Sequence, residues 1–296
     1  MTRSTRGPRT TAQPSSDRFV FTPDERLPAV LGVIGSARQR LLLSLFRCDD
    51  FEILDALAAA LQRGVSVEVL VTPRAKGWTK RLRELWAVLD GMGAKLHRYA
   101  DPVVKYHAKY IVADDGPALV ASLNFTRKCF TNTIDFVVTT RDPVVVTGLR
   151  RLFVADSRRP EPARAASFGR RLIVGPEHAR REFTRLLERA RHSIAIVDPK
   201  LTDPAIIDLL RARRKEGVAV TVLGREHVGG LTPHGKMLIV DGAVAVIGSM
   251  SLSALSLDFR REAAVVVRDR ELVGEMRQVF ERLAVRAPAG PGKPVR

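Results

Sequence analysis

Cysteine is nearly absent from this chain: Cys48 and Cys129 are its only two, in 296 residues. They could form one disulfide at most, and no C-x-x-C or comparable spacing exists, which excludes a disulfide scaffold and a cysteine-ligated zinc module. A reducing interior suits them. Long apolar runs are also missing. No stretch approaches the roughly 18 consecutive apolar residues of a membrane span, and the start, Met1-Thr-Arg-Ser-Thr-Arg-Gly-Pro8, lacks a signal peptide's apolar region. These absences point to a soluble cytoplasmic protein whose membrane contact, if any, is peripheral. Acidic residues are in deficit, 32 against 49 Lys and Arg, for a formal charge of +17. That balance favours anionic partners such as phospholipid headgroups, nucleic acid or other phosphate esters, without choosing among them.

What is present is a repeat. Residues 1–17 are Ser, Thr, Pro and Arg rich and read as a disordered basic arm. Order begins at Phe19-Val-Phe21. A helix follows over about 24–39, then a buried strand at 41–46, a helix carrying Ile53, Leu54, Leu57 and Leu61 on one face, and a strand at 65–71. Strand and helix in alternation predict an α/β fold with a mostly parallel sheet flanked by helices. The same order recurs 153 residues later: Ile53 matches Ile206, Asp55 matches Asp208, Leu57 matches Leu210 and Gly64 matches Gly217. An internal duplication accounts for this. The expected organisation is a first lobe at 18–156, a linker at 157–170, a second lobe at 171–285 and a flexible tail at 286–296.

Within this frame one motif occurs twice. His107-Ala-Lys109-Tyr-Ile-Val-Ala-Asp114 is answered by His234-Gly-Lys236-Met-Leu-Ile-Val-Asp241, at a displacement of 127. The fall from 153 to 127 leaves 26 extra residues in the first half between Leu70 and His107. They read as another helix, with Leu82, Leu85, Trp86 and Leu89 in a stripe, and another strand at 95–99. Side chains two apart on a strand share a face, so each His-x-Lys holds an imidazole and an ammonium toward one ligand. Downstream stand Ser122 and Asn124 in one copy and Ser249 and Ser251 in the other, donors suited to non-bridging phosphate oxygens. Asp135 and Glu262 each follow their own His by 28 residues, a fixed separation that suggests a carboxylate on imidazole Nδ1. Asp114 and Asp241 follow the apolar end of the strand and read as structural.

With these residues in place, the chain resembles the phospholipase D superfamily, defined by paired H-x-K-x-x-x-x-D motifs, over nearly all of residues 19–285. The resemblance implies two duplicated lobes related by a pseudo-twofold axis with one active site between them, and catalysis without metal or other cofactor. It implies that one His forms a phosphohistidine while the other protonates the leaving alcohol, and that Lys109, Lys236, Ser122, Asn124, Ser249 and Ser251 bind the phosphate. Family habit places the nucleophile at His107. The copies differ where Ala121 stands for Gly248, Asn124 for Ser251 and Asp135 for Glu262. The expected activity is a phosphodiesterase or phosphatidyltransferase on glycerophospholipids, related to cardiolipin synthases and working as a monomer. The alternative is a metal-independent nuclease of the same superfamily, and a non-catalytic binding module would predict a broken motif, which neither copy has.

Overall fold

Aspartates placed just ahead of apolar stripes start several of the helices. Asp50, Asp142, Asp203 and Asp269 each cap a helix by accepting a backbone N–H with the side chain, a contribution of about 1 kcal/mol apiece. Asp50 and Asp203 stand 153 apart, and Asp142 and Asp269 stand 127 apart, so the duplication preserved its helix starts.

The computed structural model describes residues 16–158 and 168–287. Most of the basic arm, the linker and the tail therefore lie outside the described residues, although Asp17, read as part of the arm, opens the first strand. In the first lobe the elements are β1 (Asp17–Val20), α1 (Pro23–Ser36), β2 (Arg40–Leu45), α2 (Phe51–Gln62), β3 (Ser66–Val71), α3 (Thr79–Gly91) and β4 (Lys95–Arg98). They are followed by β5 (Lys105–Tyr106), β6 (Tyr110–Ala113), β7 (Ala118–Ala121), α4 (Arg127–Thr131), β8 (Thr133–Ile134), β9 (Val137–Thr140) and α5 (Pro143–Ser157). The second lobe begins with β10 (Leu172–Val174), α6 (Ala179–Glu188), β11 (Ser193–Val197), α7 (Pro204–Lys215), β12 (Ala219–Leu223) and β13 (Thr232–Pro233). It ends with β14 (Met237–Val240), β15 (Val244–Gly248), α8 (Ala254–Phe259), β16 (Arg260–Arg261), β17 (Ala263–Val267) and α9 (Arg270–Arg286).

Each lobe holds one large sheet, ordered β1-β9-β7-β6-β2-β3-β4 in the first and β10-β17-β15-β14-β11-β12 in the second. The extra residues of the first half supply α3 and the edge strand β4. The sheets are mixed, which corrects the expectation of mostly parallel ones. Helical crossovers make β2, β3 and β4 parallel, but β6, β7, β9 and β1 join antiparallel, as do β14, β15, β17 and β10. Connection length explains the hairpins β6–β7 and β14–β15, where the tight turn after each motif permits nothing else, whereas parallel strands need a crossover.

Three apolar cores follow. Helices α1 and α2 cover the outer face of the first sheet and α6 and α7 that of the second. The third core lies between the sheets, where α5 and α9 contribute Leu149, Phe153, Met276 and Phe280 beside Tyr110 and Val120 of one sheet and Ile239 and Val265 of the other. This shared core makes the lobes one body and fixes the ends of their sheets against each other.

Asp114 and Asp241 each tie the end of a strand to the start of its neighbour. Each sits at positive φ after its strand and accepts the amides that open the neighbouring strand: Arg38, Gln39 and Arg40 for Asp114, and Arg191, His192 and Ser193 for Asp241. Partial burial works against ionisation, but these amides hold both carboxyls below their ordinary range.

Candidate active site

The site is set by four two-residue strands that cross between the lobes. β5 runs into His107 and pairs in parallel with β16, which runs into Glu262; β13 runs into His234 and pairs in parallel with β8, which runs into Asp135. Backbone bonds continue each crossing, from His107 N–H to the Arg261 carbonyl at 2.9 Å and from Gly235 N–H to the Ile134 carbonyl at 2.6 Å. Gly235 has to be glycine for this approach, since a Cβ there would lie 2.8 Å from the Ile134 oxygen and the Phe136 ring.

The crossing corrects one inference from spacing. Each acid meets the His of the other lobe, not the one 28 residues before it. His234 Nδ1 lies 2.9 and 3.0 Å from the Asp135 carboxylate oxygens in hydrogen-bonding geometry. His107 Nδ1 lies 2.5 Å from Glu262 Oε1, a contact whose angle falls outside that of a hydrogen bond. Both carboxylates are fully buried. With each Nδ1 turned to its acid, Nε2 of each ring is the nitrogen left to face a substrate.

Lys109 and Lys236 are buried, and the charges of both act on both imidazoles. The Lys109 ammonium donates to the His107 carbonyl at 2.6 Å and lies 4.8 Å from the Phe46 ring centre. Neither lysine has an ion-pair partner within 4 Å among the described residues. Burial, then the charge of Lys236, pushes the Lys109 ammonium well below its ordinary range. Two lysines buried close enough to depress one another favour an anion in the pocket.

The hydroxyls divide. Ser122 donates to Asp135 at 2.6 Å and accepts from Phe136 N–H at 2.9 Å, and Thr133 donates to the other Asp135 oxygen at 2.6 Å. Ser249 bonds the Ala263 backbone, and Ser251 donates to Asp198 at 3.1 Å. Asn124 Oδ1 is buried without a hydrogen-bond partner. In this state three of the four proposed phosphate donors therefore face the protein, with Ser122 supporting the acid that supports His234. Glu262 is held by Ser256, which stands 127 residues after Cys129.

These surroundings separate the two His–acid pairs. Burial, with Lys109, Lys236, Arg260 and Lys200, drives the His107 pKa well below its ordinary value and keeps the ring neutral. Burial raises Glu262 to about 7, despite Ser256 and the nearby Lys109, Arg260 and Lys236. Asp135, equally buried, is held below its ordinary range by His234, Lys236 and Ser122. His234 is lowered by burial and the lysines but supported by the Asp135 carboxylate.

Several residues here were not found by the sequence reading. Arg26 of α1, fully buried, donates to the carbonyls of Cys129 and Thr133 and so fixes the segment ahead of Asp135. Nothing in a charged residue near a helix start signals this. Lys200 and Arg260 add positive charge to the pocket, and Arg260 approaches Glu262 at 3.9 Å. The repeat did carry a signal for Lys200, because Arg47 stands 153 residues before it. Asp198 explains the exchange of Asn124 for Ser251: its buried carboxylate takes the Ser251 hydroxyl where the first lobe has Leu45. The exchange of Ala121 for Gly248 has a steric reason, since a Cβ on Gly248 would lie 2.3 Å from the Ala263 oxygen.

One trio could hold a metal ion. Ligand atoms of Cys129, Asp135 and His234 lie within 4.8 Å of one another. Both Asp135 oxygens are already bonded by Ser122, Thr133 and His234, and burial raises the Cys129 thiol pKa, so the trio is better suited to positioning His234 than to chelation. Cys48 and Cys129 are both free and buried. No helix among the described residues is long and apolar enough to cross a membrane.

The chain is similar in sequence and in fold to known proteins. Cardiolipin synthase B of Salmonella typhi is 23% identical over 327 aligned positions, covering 88% of this chain and 78% of that protein. The phosphatidylserine synthase structure from Haemophilus influenzae superposes with a TM-score of 0.70 at 12% identity, covering 91% of this chain and 87% of that one. Polyphosphate kinase from Porphyromonas gingivalis superposes at 0.73 with 22% identity over 94% of this chain, which spans 50% of that longer one. At these identities the two structures establish the fold alone. Residues 30–157 and 225–284 match the family described as "Cardiolipin synthase, PLD-like domain", and with more than half of its length in that match the chain belongs to the phospholipase D superfamily, a family of phosphodiesterases and phosphatidyltransferases.

Proposed function

We propose that the protein cleaves or exchanges the headgroup phosphodiester of glycerophospholipids through a phosphohistidine on His107. The observation that carries this reading is the pair of imidazoles, each backed by a carboxylate from the opposite lobe, with two buried lysines whose charges reach both rings. A phosphodiester carries one negative charge, which Lys109 and Lys236 would take up together. That charge offsets the part of the lowering that the lysines cause, so binding the substrate shifts the pKa of His234 upward and favours its carrying a proton. Its Asp135 carboxylate stabilises the imidazolium.

In the first step His107 Nε2 attacks phosphorus. The new N–P bond forms as the P–O bond to the leaving alcohol breaks, and His234 gives its Nε2 proton to that oxygen. In the second step the oxygen of water or of an acceptor alcohol attacks phosphorus, its proton passes to His234, and the N–P bond breaks. Each step asks the protein for one nucleophile and one acid or base, and positioned proton transfer supplies about 10²–10⁴-fold. The name of the relatives that match most of this chain, cardiolipin synthase, supports a phospholipid substrate.

The test is to incubate the full chain with mixed phospholipid vesicles and, separately, with single- and double-stranded nucleic acid, each with and without EDTA. Phosphatidic acid or an exchanged headgroup is expected, unchanged by EDTA. Nucleotide products alone would establish the nuclease reading instead, which the charge of +17 otherwise accommodates. Turnover lost to EDTA would overturn the metal-free route.

A further inference from the structure

A continuous path of aromatic and arginine side chains leads from the reacting imidazole to the surface. The Phe46 ring meets His107 edge-on at 4.5 Å between centres, and the Arg47 guanidinium lies over Phe46 at 5.2 Å. Arg47 also lies over Trp78 at 5.2 Å, and Arg81 lies over the same ring at 5.2 Å. Arg81 is 3.5 Å from Asp49, which accepts the Arg127 backbone N–H at 3.1 Å, and the Arg127 guanidinium lies 4.8 Å from the centre of Phe51. Phe51 ends the path 62% exposed. Trp78 and Arg81 belong to the extra residues that the second lobe lacks.

Across the pseudo-twofold the second lobe offers something different. Its α8, the counterpart of α4 at a displacement of 127, exposes Leu255 at 43% and Phe259 at 48%, immediately before Arg260 of the pocket. Each lobe thus holds large apolar side chains out in water, Phe51 at the end of the path from His107 and Phe259 next to Arg260 of the pocket, and such side chains among arginines are the make-up of an interaction surface.

We infer that this rim, with Phe51 and Arg127 on one lobe and Leu255 and Phe259 on the other, docks the protein on an anionic phospholipid surface. The inference rests on the phospholipid reading of the site. Charge complementarity and the kind of apolar side chain select the occupant. The guanidiniums match anionic headgroups and the apolar tips suit the headgroup–acyl boundary, as at interfacial helices. Single-stranded nucleic acid would want open aromatic faces for stacking. Here two guanidiniums already lie over the Trp78 ring and one over Phe51, Leu255 has no face to offer, and Phe259 alone is too little for a run of stacked bases.

The experiment compares the full chain with two surface variants, Phe51→Ser/Leu255→Ser/Phe259→Ser and Arg81→Glu/Arg127→Glu, each checked for an unchanged melting profile. Binding is measured by co-sedimentation with phosphatidylcholine vesicles containing phosphatidylglycerol, and with phosphatidylcholine alone. Each variant is expected to lose about tenfold in affinity for the anionic vesicles while turning over a monomeric short-chain phosphatidylglycerol within about twofold of the unmodified protein. Unchanged vesicle binding by both variants overturns the proposal. So does single-stranded DNA binding that the variants lose while vesicle binding persists. If no phospholipid is turned over and yet the variants fail on vesicles, the docking surface stands and the substrate reading falls.

Discussion

At the residue scale the two carboxylates decide what each imidazole does. Glu262 ionises only as pH rises through about 7, whereas Asp135 is ionised throughout the neutral range because its pKa is lowered. Ionised Glu262 can accept His107 Nδ1–H, which places the lone pair on Nε2; protonated Glu262 loses that capacity. The expected outcome is a kcat that rises with pH as Glu262 ionises in the substrate complex, where His234 carries its proton, and Glu262→Gln should remove that limb and lower the rate by roughly 10² or more, as for other His-orienting acids. A Glu262→Gln profile with the limb intact would separate Glu262 from the titration. The descending limb belongs to His234, whose lowered pKa recovers when the substrate anion meets the lysines. It should therefore lie at higher pH in kcat than in kcat/KM. Quenching in alkaline denaturant with labelled substrate assigns the roles: His234→Ala should accumulate an acid-labile phosphoenzyme with a good leaving group, and His107→Ala should form none. The reverse pattern exchanges the two.

At the element scale, the parts of the site that spacing could show are those carried along one strand. His107 with Lys109, their copies at 234 and 236, and the clamps at Asp114 and Asp241 were legible because a period of two and a repeated displacement fix them. The crossing was not, because β5, β8, β13 and β16 are two residues long and a pairing between lobes leaves no periodicity. Nor was the mixed sheet order, since hairpins and crossovers both join apolar runs. The hidden support for the crossing yields a prediction. Arg26→Ala would leave the carbonyls of Cys129, Thr133 and Phe21 without their buried donor, at about 1–3 kcal/mol each before relaxation. Denaturant unfolding should show a loss of several kcal/mol. In molecules still folded, kcat should fall more than KM rises, because the segment that places Asp135 is released. The control is Asp114→Ala, which frees three amides far from phosphorus in the chain. It should cost a few kcal/mol in unfolding and leave kcat unchanged.

For the whole molecule, the duplication and the catalytic unit are different things. Each half of the sequence carries a complete-looking motif, yet neither half can orient its own imidazole: the first lobe's acid serves His234 and the second lobe's serves His107. The shared core of α5 and α9 holds the lobes in the register that this exchange requires. A chain that supplies both imidazoles and both acids to one pocket needs no second copy for catalysis. Mixing purified His107→Ala with purified His234→Ala should therefore give no more turnover than either alone. Two copies that met head to head, each lending one lobe, would instead recover up to about a quarter of the unmodified rate, the share of random pairings that unite two intact imidazoles. Refolding the mixture from denaturant extends the test to slow exchange of lobes, and continued silence after refolding places the whole reaction within a single chain.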